Sequence, residues 1–402
     1  MALMPVAEAL RLVLADAKPL PAEFVTLDHA AARVLTKDVA ALRTQPPSAV
    51  SAMDGYAVRA SDVANAPAAL KVIGEIAAGH PFVGEVGTGQ AVRIFTGGVM
   101  PDGSDTVVIQ ELASREGDVV TVQKVTSKGR NVRGQGIDFA QGDVLLRKGR
   151  RLSDRDVMLA AAMNHPHLSV HRRPRVAVLG TGDELVPPGG SPKSGEIVYS
   201  NGFALASLGR AEGAEVRDLG IANDRVESIT QAIKRAREWD ADILVTSGGA
   251  SVGEHDLVQR ALTAEGLSLS FWRVALRPGR PMMHGRLGAM QVLGVPGNPV
   301  SSYVCAFLFL VPLIRRLSGR MDVEPQPERA RLGCGLPAND ERADYLRATL
   351  TPGPDGPVAT PLPSQDSSLM APLAKADCLV IRDPGAPAVP TGSDCVILKL
   401  GL

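Results

Sequence analysis

The sequence predicts a multidomain protein of the α+β and α/β classes. A central three-layer α/β domain with a mostly parallel sheet is joined by an inserted all-β domain, a discontinuous linker domain and a small C-terminal β-barrel. The length of 402 residues exceeds one ordinary core, and 45% of the residues are hydrophobic. Strands and helices alternate strictly between residues 175 and 319, whereas short β-rich runs separated by turns fill much of the rest.

The N-terminal part predicts a domain that is interrupted along the chain. Residues 1–20 resemble an amphipathic helix, because charged side chains interrupt the apolar ones. Residues 150–170 predict a helix that Ser153 caps and that packs back on the first helix. We therefore assign residues 1–45 and 146–174 to a helical linker domain, and the β-rich residues 46–145 to a domain inserted in it.

The α/β domain is assigned to residues 175–325 and a C-terminal β-barrel to residues 326–402. The predicted strands of the α/β domain are RVAVLG, EVRDLGI, ADILVTS, SFWRVAL and MQVLGVPG. Amphipathic or apolar helices stand between them, which indicates a parallel sheet covered on both faces. Ligands of such sheets bind outside the carboxyl ends of the strands, so the loops there are the candidate site.

Composition excludes several classes of partner. Forty-three basic and 43 acidic residues cancel, and aromatic residues make up only 3%, so neither nucleic acid nor a membrane is an expected partner. The four cysteines have no C-x-x-C spacing, which argues against a zinc site or a disulfide framework. Cysteines of this kind fit a reducing compartment, and with no targeting segment recognised we expect a cytoplasmic protein.

The stretch DILVTSGGASVGEHD gives the sharpest indication of a site. A buried strand ends in Ser247, Gly248, Gly249 and Ser251, and such small residues expose backbone N–H groups to an anion. Carboxylates follow at once, including Asp256, and they would repel an anion unless a cation lay between. The stretch therefore suggests a phosphorylated ligand and a divalent metal. The alternative is an ordinary glycine-rich turn before a solvated helix.

Other strand ends carry similar groups. Glu184, Asp224 and Asp256 are hard oxygen donors that suit Mg²⁺, although Asp224 could instead cap the following helix. The turn RPGRP places arginines where their planar forks could bind an oxyanion, although exposed arginines are often only surface charge. The loop PGNP follows the last strand. In the β-rich region, Asp54 and its neighbour glycine could form a plain hairpin turn.

Six motifs occur in an order similar to that of the molybdopterin molybdenumtransferases. They are SAMDGYA, IFTGGVMPDGSDTVV, GTGDEL, SGGASVGEHD, RPGRP and GVPGNPVSS, and the likeness covers essentially the whole chain. This family inserts molybdenum in molybdenum cofactor biosynthesis and is related to the C-terminal domain of gephyrin. The resemblance implies an elongated homodimer with sites shared between subunits. Its substrates would be molybdate and adenylylated molybdopterin, and AMP would be released with Mg²⁺ as the cofactor.

The residues and the resemblance together define the predicted site. The catalytic candidates are Asp54, Thr96, Asp138, Glu184, Asp224 and Asp256, of which Glu184, Asp224 and Asp256 would also hold the metal. The candidates for binding the pterin substrate are Ser247, Gly248, Gly249, Ser251, Pro296, Gly297, Asn298, Pro299 and Ser301. The candidates for binding molybdate are Arg273, Arg277, Arg280, Arg347 and Ser367. Family members often have lysines where Arg277 and Arg280 stand, so the charge is kept but its geometry changes.

Two other functions remain open at this point. Adenylylation of molybdopterin by ATP is the nearest alternative, but the two β domains and the C-terminal module argue against it. A gephyrin-like peptide-binding scaffold is the second, and the acidic and basic strand ends favour an enzyme instead. Further partners that the resemblance suggests are the molybdopterin adenylyltransferase and molybdoenzyme maturation proteins. A nucleotide-binding oxidoreductase is not indicated, because no G-x-G-x-x-G follows a strand.

Overall fold

The first part of the chain is dominated by short strands. The structure is a computed structural model, and it describes residues 3–249 and 257–401. Short 3₁₀ helices cover Leu27–His29, Ala60–Val63 and Gln110–Leu112. The regular elements in this part are α1 (Val6–Ala15), β1 (Ala22–Thr26), β2 (Val39–Ala40), β3 (Val50–Ser51), β4 (Gly55–Val58), β5 (Ala68–Ile76), β6 (Gln90–Ile94), β7 (Thr106–Ile109), β8 (Ala113–Glu116), β9 (Val119–Val122), β10 (Val132–Arg133), β11 (Val144–Leu146), α2 (Asp154–Ala162) and β12 (His167–His171).

The β-rich insertion forms a six-stranded sheet in the order β7-β4-β6-β5-β9-β8. Only β5 and β6 run parallel within it, and the other pairs are antiparallel. Its strands are rich in β-branched residues, and valines such as Val58, Val92 and Val108 fill the core. The sheet therefore has the all-β character that its sequence predicts.

Cross-strand pairing joins the segments on either side of this insertion. β1 pairs antiparallel with β12, and β2 pairs antiparallel with β11. Leu35, Leu146, Leu168 and Val170 share one buried cluster. The chain thus leaves and re-enters the same unit, although the limits assigned to the linker and inserted domains stay a prediction.

The two N-terminal helices differ from the sequence prediction. Ser153 does cap α2, in a capping box with Asp156, but the helix ends at Ala162 and the following residues form β12. The expected packing of α2 on α1 is wrong. The buried face of α1, which includes Ala9 and Val13, belongs to the core of the α/β domain and contacts its last helix.

The middle of the chain alternates strands and helices. A π turn, Ala306–Leu310, joins the last two helices into one continuous helix from Pro299 to Leu317. The elements are β13 (Arg175–Thr181), β14 (Leu185–Val186), β15 (Ile197–Val198), α3 (Asn201–Ala211), β16 (Glu215–Ala222), α4 (Val226–Glu238), β17 (Ile243–Ser247), α5 (Leu257–Ala264), β18 (Ser268–Trp272), β19 (Leu276–Arg277), β20 (Met283–Leu287), β21 (Met290–Val295), α6 (Pro299–Cys305) and α7 (Val311–Leu317).

These elements form three layers. The central sheet has the order β16-β13-β17-β21-β20-β18, and β16, β13, β17 and β21 run parallel. β20 is antiparallel to both of its neighbours. Helices α4 and α5 cover one face, whereas α1, α3, α6 and α7 cover the other. The mostly parallel, three-layer α/β domain is confirmed.

One strand predicted for this sheet is divided into two strands in the structure. The run SFWRVAL breaks at Arg273, whose φ of 75° is incompatible with a continuous strand. The first part, β18, stays in the central sheet. The second part, β19, pairs in parallel with a strand of the C-terminal domain.

The continuous helix Pro299–Leu317 is the central core helix of the α/β domain. Among the described residues it is long and apolar enough to cross a membrane by length and composition, but 83% of its most apolar window is buried inside the protein. Its hydrophobicity is explained by packing, because residues such as Phe309 and Leu313 are fully buried in the core.

The C-terminal domain is a small closed barrel. Its elements are β22 (Glu328–Leu332), β23 (Ala343–Thr351), β24 (Val358–Pro361), α8 (Met370–Ala374), β25 (Cys378–Arg382) and β26 (Asp394–Lys399). The strands follow the order β23-β24-β22-β26-β25, and pairing of β23 with β25 closes the barrel. The predicted β-barrel is confirmed, and β19 attaches it to the α/β domain.

Candidate functional site

A cavity of about 930 Å³ lies at the carboxyl ends of the parallel strands of the α/β domain. This volume lies in the range of small-molecule and cofactor sites. Seven residues predicted to bind the pterin substrate line it, together with the predicted catalytic residue Glu184. The seven are Ser247, Gly248, Gly249, Pro296, Gly297, Asn298 and Pro299.

The glycines after β17 are required by the backbone. Gly248 and Gly249 have φ values of 97° and 62°, and a Cβ on Gly248 would lie 2.5 Å from the carbonyl oxygen of Thr181. Only glycine fits such a conformation in so little space. Ser251 and Asp256, predicted for the same loop, lie outside the described residues. Ser301, a further predicted substrate residue, is buried in α6 and does not belong to the described lining of the cavity.

Tyr199 and Glu196 line the cavity, although the sequence analysis did not select them. Gly180 and Gly202 make room for the Tyr199 ring, since a Cβ on either would lie within 2.4 Å of it. The Tyr199 hydroxyl donates to Oδ1 of Asp218 at 3.2 Å, and burial raises its pKa above the ordinary value. The one sequence feature that could have indicated Tyr199 is the presence of glycine at positions 180 and 202, where its ring packs.

The predicted metal ligands are only partly brought together. Glu184 lines the cavity, whereas Asp224 is exposed and is not among the described residues that line it. Asp224 does not cap α4 either, since Arg225 is the N-cap residue and no side chain caps that helix. In the described ranges, no group of three or more His, Cys, Asp or Glu side chains is placed to hold a metal. Glu184 and Glu196 still fit Mg²⁺, which needs only one or two carboxylates besides substrate oxygens and water.

Arg347 stands out among the predicted oxyanion ligands. It is completely buried, and its Nε and Nη1 atoms have no hydrogen-bond partner. Its Nη2 atom donates to the carbonyl oxygen of Asp366 at 3.0 Å, and burial lowers its pKa. The Asp366 carboxylate supplies a nearby opposite charge, but it forms no ion pair with the guanidinium in the described ranges. Because buried donors without hydrogen-bond partners are costly, the free Nε and Nη1 atoms fit a bound anion.

Ser367 connects Arg347 with the edge of the cavity. Its hydroxyl accepts a hydrogen bond from Nδ2 of Asn298 at 2.9 Å, and its carbonyl oxygen accepts one from the backbone N–H of Val300 at 3.0 Å. The next residue, Ser368, lines the cavity. The PGNP loop and the loop that follows Arg347 in the barrel are therefore in direct contact.

The three arginines around the RPGRP turn have different surroundings. Arg277 donates from Nε to Asp344 at 2.6 Å and from Nη1 to Asp340 at 3.1 Å, so its charge is already paired. Two carboxylates occupy donors that would bind the anion, so this pairing does not favour the oxyanion role of Arg277, which stays a prediction. Arg273 is half-buried, and its guanidinium lies 5.7 Å from the Trp272 ring centroid. Arg280 is exposed and has no side-chain partner within residues 3–249 and 257–401.

A second cavity of about 800 Å³ lies between the α/β domain and the barrel. It shares Ser200, Asn201, Pro299 and Met370 with the first cavity. The Ser200 hydroxyl contacts the Met370 sulfur at 3.5 Å, so the wall between the cavities joins the two domains.

The structure brings Asp54 and Thr96 together in the inserted domain. Oδ1 of Asp54 accepts the backbone N–H and the hydroxyl of Thr96, each at 2.8 Å. These two contacts, the backbone N–H first, lower the pKa of Asp54 below its ordinary value. Gly55 begins β4, so the segment is not the plain hairpin turn that was the alternative. Asp138 is exposed and has no hydrogen bond with either residue.

The Asp54–Thr96 pair and the cavity belong to different parts of the chain. Among the described residues, no hydrogen bond or ion pair joins residues 46–145 with the α/β domain. Within one chain the Asp54–Thr96 pair has no such link to Glu184 at the cavity, and neither Asp138 nor Asp224 joins either place.

The sequence matches three family profiles in succession. Residues 4–164 match the MoeA N-terminal region (domain I and II), residues 177–316 match a probable molybdopterin binding domain, and residues 329–400 match the MoeA C-terminal region (domain IV). The molybdopterin molybdenumtransferase of Haemophilus influenzae is 33% identical over 91% of this chain and 90% of its own length. That of a Nostoc species is 36% identical over 94% of this chain and 88% of its own length.

A solved structure shows the same architecture. The molybdopterin biosynthesis MoeA protein of Pyrococcus horikoshii aligns with a TM-score of 0.84 and 30% identity, covering 100% of both chains.

We expect Thr96→Val to raise the pKa of Asp54 part of the way towards its ordinary value. The substitution removes the hydroxyl donor and keeps the backbone donor, so the ionised carboxylate loses one of its two stabilising contacts. The carboxyl carbon of Asp54, followed by NMR during a pH titration, measures the change. Thr121→Val in the same sheet is the matched control and should leave the pKa unchanged. An unaltered Asp54 pKa in Thr96→Val would contradict the prediction.

Proposed function

The chain belongs to the molybdopterin molybdenumtransferases, and we propose that it takes adenylylated molybdopterin and molybdate, inserts the molybdenum and releases AMP. The observation that carries this proposal is that the predicted pterin-binding loops and the predicted molybdate ligand Arg347 lie near one cavity. The loops predicted to hold the pterin substrate line one cavity, and the buried, partly unpaired Arg347 lies beside its edge.

The phosphate groups of the substrate bind at the small-residue loops. Gly249 is exposed after β17, and the long helix that begins at Pro299 starts at the same cavity. Helix N-termini and glycine-rich loops favour negatively charged ligands, although here the Gly248 and Val300 N–H groups already donate to the Val295 and Ser367 carbonyl oxygens. The cavity therefore suits a ligand with two linked phosphates.

Molybdate binds on the barrel side of the cavity. Arg347 offers two unpaired donors, Ser367 offers a hydroxyl, and exposed Arg280 precedes Pro281 in the cavity wall. A tetrahedral dianion can accept charge-assisted hydrogen bonds from both guanidinium groups. Arg277 contributes differently, since its pairing with Asp344 and Asp340 fixes the barrel against the α/β domain.

Mg²⁺ is part of the same proposal, with Glu184 and Glu196 as its protein ligands. When bound, the ion would neutralise charge on the phosphate groups. The protein itself positions the two substrates and supplies fixed donors around them, and such electrostatic preorganisation is usually the largest catalytic contribution. Release of AMP breaks the phosphoanhydride bond, and water or a molybdate oxygen supplies the replacing oxygen atom. A side-chain nucleophile is not required.

We also propose a homodimer in which the Asp54–Thr96 pair of one subunit completes the cavity of the other. The support is that both residues match active-site positions of the family, while among the described residues no hydrogen bond or ion pair places them at the cavity of their own chain. Four free cysteines support a reducing, cytoplasmic location. The adenylyltransferase and scaffold alternatives are not favoured by the relatives, which are named as molybdenumtransferases.

Purified protein with Mg²⁺, molybdate and adenylylated molybdopterin should release AMP, and the release should depend on molybdate. Chromatographic measurement of AMP with and without molybdate tests this outcome. A family member assayed in parallel controls for substrate quality. Absence of molybdate-dependent release under conditions where that relative works would refute the proposed function.

Arg347→Met and Arg280→Ala should each raise the molybdate concentration for half-maximal AMP release by about ten- to a hundredfold, since one charge-assisted hydrogen bond is typically worth about 1.5–3 kcal/mol. Arg277→Ala should instead loosen the barrel, visible as faster limited proteolysis, without a comparable change in molybdate dependence. Exposed Arg329→Ala on β22 is the matched control. A molybdate effect confined to Arg277→Ala would reverse the assignment.

The shared site predicts complementation between inactive subunits. Asp54→Asn and Glu184→Gln proteins should each be inactive, but heterodimers formed by subunit exchange keep one intact site and should recover part of the activity. AMP release after mixing, with exchange verified by mass spectrometry of the native dimers, is the measurement. Mixtures that exchange fully and remain inactive would rule out a site built from two subunits.

A further inference from the structure

Asn201 connects the two loops that line the substrate cavity. Its Nδ2 atom donates to the Ser247 hydroxyl oxygen at 2.8 Å and to the Gly297 carbonyl oxygen at 2.7 Å. Ser247 ends β17, and Gly297 lies just beyond β21, the neighbouring parallel strand. One amide nitrogen thus uses both of its hydrogens to join the Ser-Gly-Gly loop with the Pro-Gly-Asn-Pro loop.

We propose that Asn201 is a positioning residue for molybdenum insertion. It fixes the distance between the two phosphate-binding loops, so that their backbone donors meet the phosphates of the pterin substrate together. This inference rests on the proposed function, and it gives a role to a residue that lies outside the six motifs. Asn201 lines both the main cavity and the neighbouring one, so it stands at the wall between them.

The surroundings of Asn201 make it a rigid connection. It is the first residue of α3, and the other end of this helix is fixed by Glu212. The buried Glu212 carboxylate accepts hydrogen bonds from Arg315 at 2.6 and 2.8 Å, and from Arg320 at 2.6 Å. Buried charge-assisted contacts of this kind are costly to break, so α3 holds its position.

The loops are close enough for a small displacement to matter. A Cβ on Gly297 would lie 3.6 Å from the Cα atom of Gly248, so the two loops approach each other almost in van der Waals contact. A misplacement of about 1 Å in a reacting geometry can cost about a hundredfold in rate. Loss of the bridge would leave the long hydrogen bond from the Gly248 N–H to the Val295 carbonyl oxygen, at 3.3 Å, and the strand pairing below it, so the ends of the loops would be free to shift.

The chemistry of the bridge requires an amide. Both partners are used as acceptors, so the side chain must supply two hydrogens from one atom, as the asparagine NH₂ group does. Asn201→Asp keeps the shape but removes both donors, and it adds a charge that repels the Gly297 carbonyl and the phosphates. Asn201→Ala removes the bridge without adding a charge. Comparison of the two variants distinguishes the effect of losing the bridge from the effect of the added negative charge.

The test combines kinetics with hydrogen exchange of the full-length protein. Asn201→Ala should lower kcat/KM for adenylylated molybdopterin by about ten- to a hundredfold, because two hydrogen bonds are lost and the loops shift. The molybdate concentration for half-maximal rate should remain unchanged. Backbone exchange should accelerate in the peptides that cover residues 243–249 and 290–298, and not in the barrel.

Three comparisons make the result specific. Asn298→Asp is the matched amide substitution on the other side of the same loop, and it should change molybdate dependence, since Asn298 contacts Ser367. Exposed Asn65→Asp in the inserted domain should change neither quantity. Ser247→Ala removes one of the two acceptors, and its effect should not add to that of Asn201→Ala.

If the rate of backbone hydrogen exchange in the two loops is unchanged in both Asn201→Ala and Ser247→Ala, the proposal is overturned. Two variants are used so that poor folding of one does not prevent this decision. Faster exchange with an unchanged kcat/KM would also overturn it, since the bridge would then be structural only. If the wild-type protein releases no AMP, the proposed function fails, while the exchange experiment still decides whether Asn201 holds the loops together.

Discussion

The site depends on the register of the parallel strands β13, β17 and β21. Gly180 pairs with Ser247, and Ser247 pairs with Val295, so the three strands end level with one another. The backbone hydrogen bonds of the sheet fix this alignment before any side chain contributes. Each strand then continues into a loop, and the loops begin within a few ångströms of a common line. The backbone of these loops therefore forms the wall of a cavity, and the small residues in the loops leave its space unfilled.

Two arginines show how burial and pairing decide what a charge can do. Arg277 and Arg347 both lie where the α/β domain meets the barrel, and both are absent from the described lining of the main cavity. Arg277 has carboxylates at Asp340 and Asp344, so its charge is satisfied within the chain. Arg347 donates to backbone carbonyls and lies near the Asp366 carboxylate, but its Nε and Nη1 atoms have no hydrogen-bond partner in the described part of the chain. Since buried donors without partners are costly, these two atoms are best explained by an anion that the protein binds.

The sequence predicted those features that are encoded locally. The Ser-Gly-Gly loop was predictable because the positive φ values of Gly248 and Gly249 leave a glycine signature in the chain. The pairing of Arg277 was not, because its partner Asp344 lies 67 residues away and nothing in the turn announces it. The break at Arg273 and the packing of α1 on the α/β core also depend on tertiary contacts. Asn201 was missed for the same reason, since its two acceptors are 46 and 96 residues distant.

The linker segments carry the inserted domain, and with it the Asp54–Thr96 pair. The pairs β1–β12 and β2–β11 hold the entry and exit of the inserted domain side by side, so that domain is carried as a unit on a paired base. The contacts from Thr96, the backbone N–H first, lower the pKa of its Asp54 carboxyl, and both donors belong to the inserted domain itself. A preformed charged group on a separate domain can serve a cavity on another subunit. In the proposed homodimer, the loops joined by Asn201 would give the inserted domain of the second subunit a fixed surface to meet.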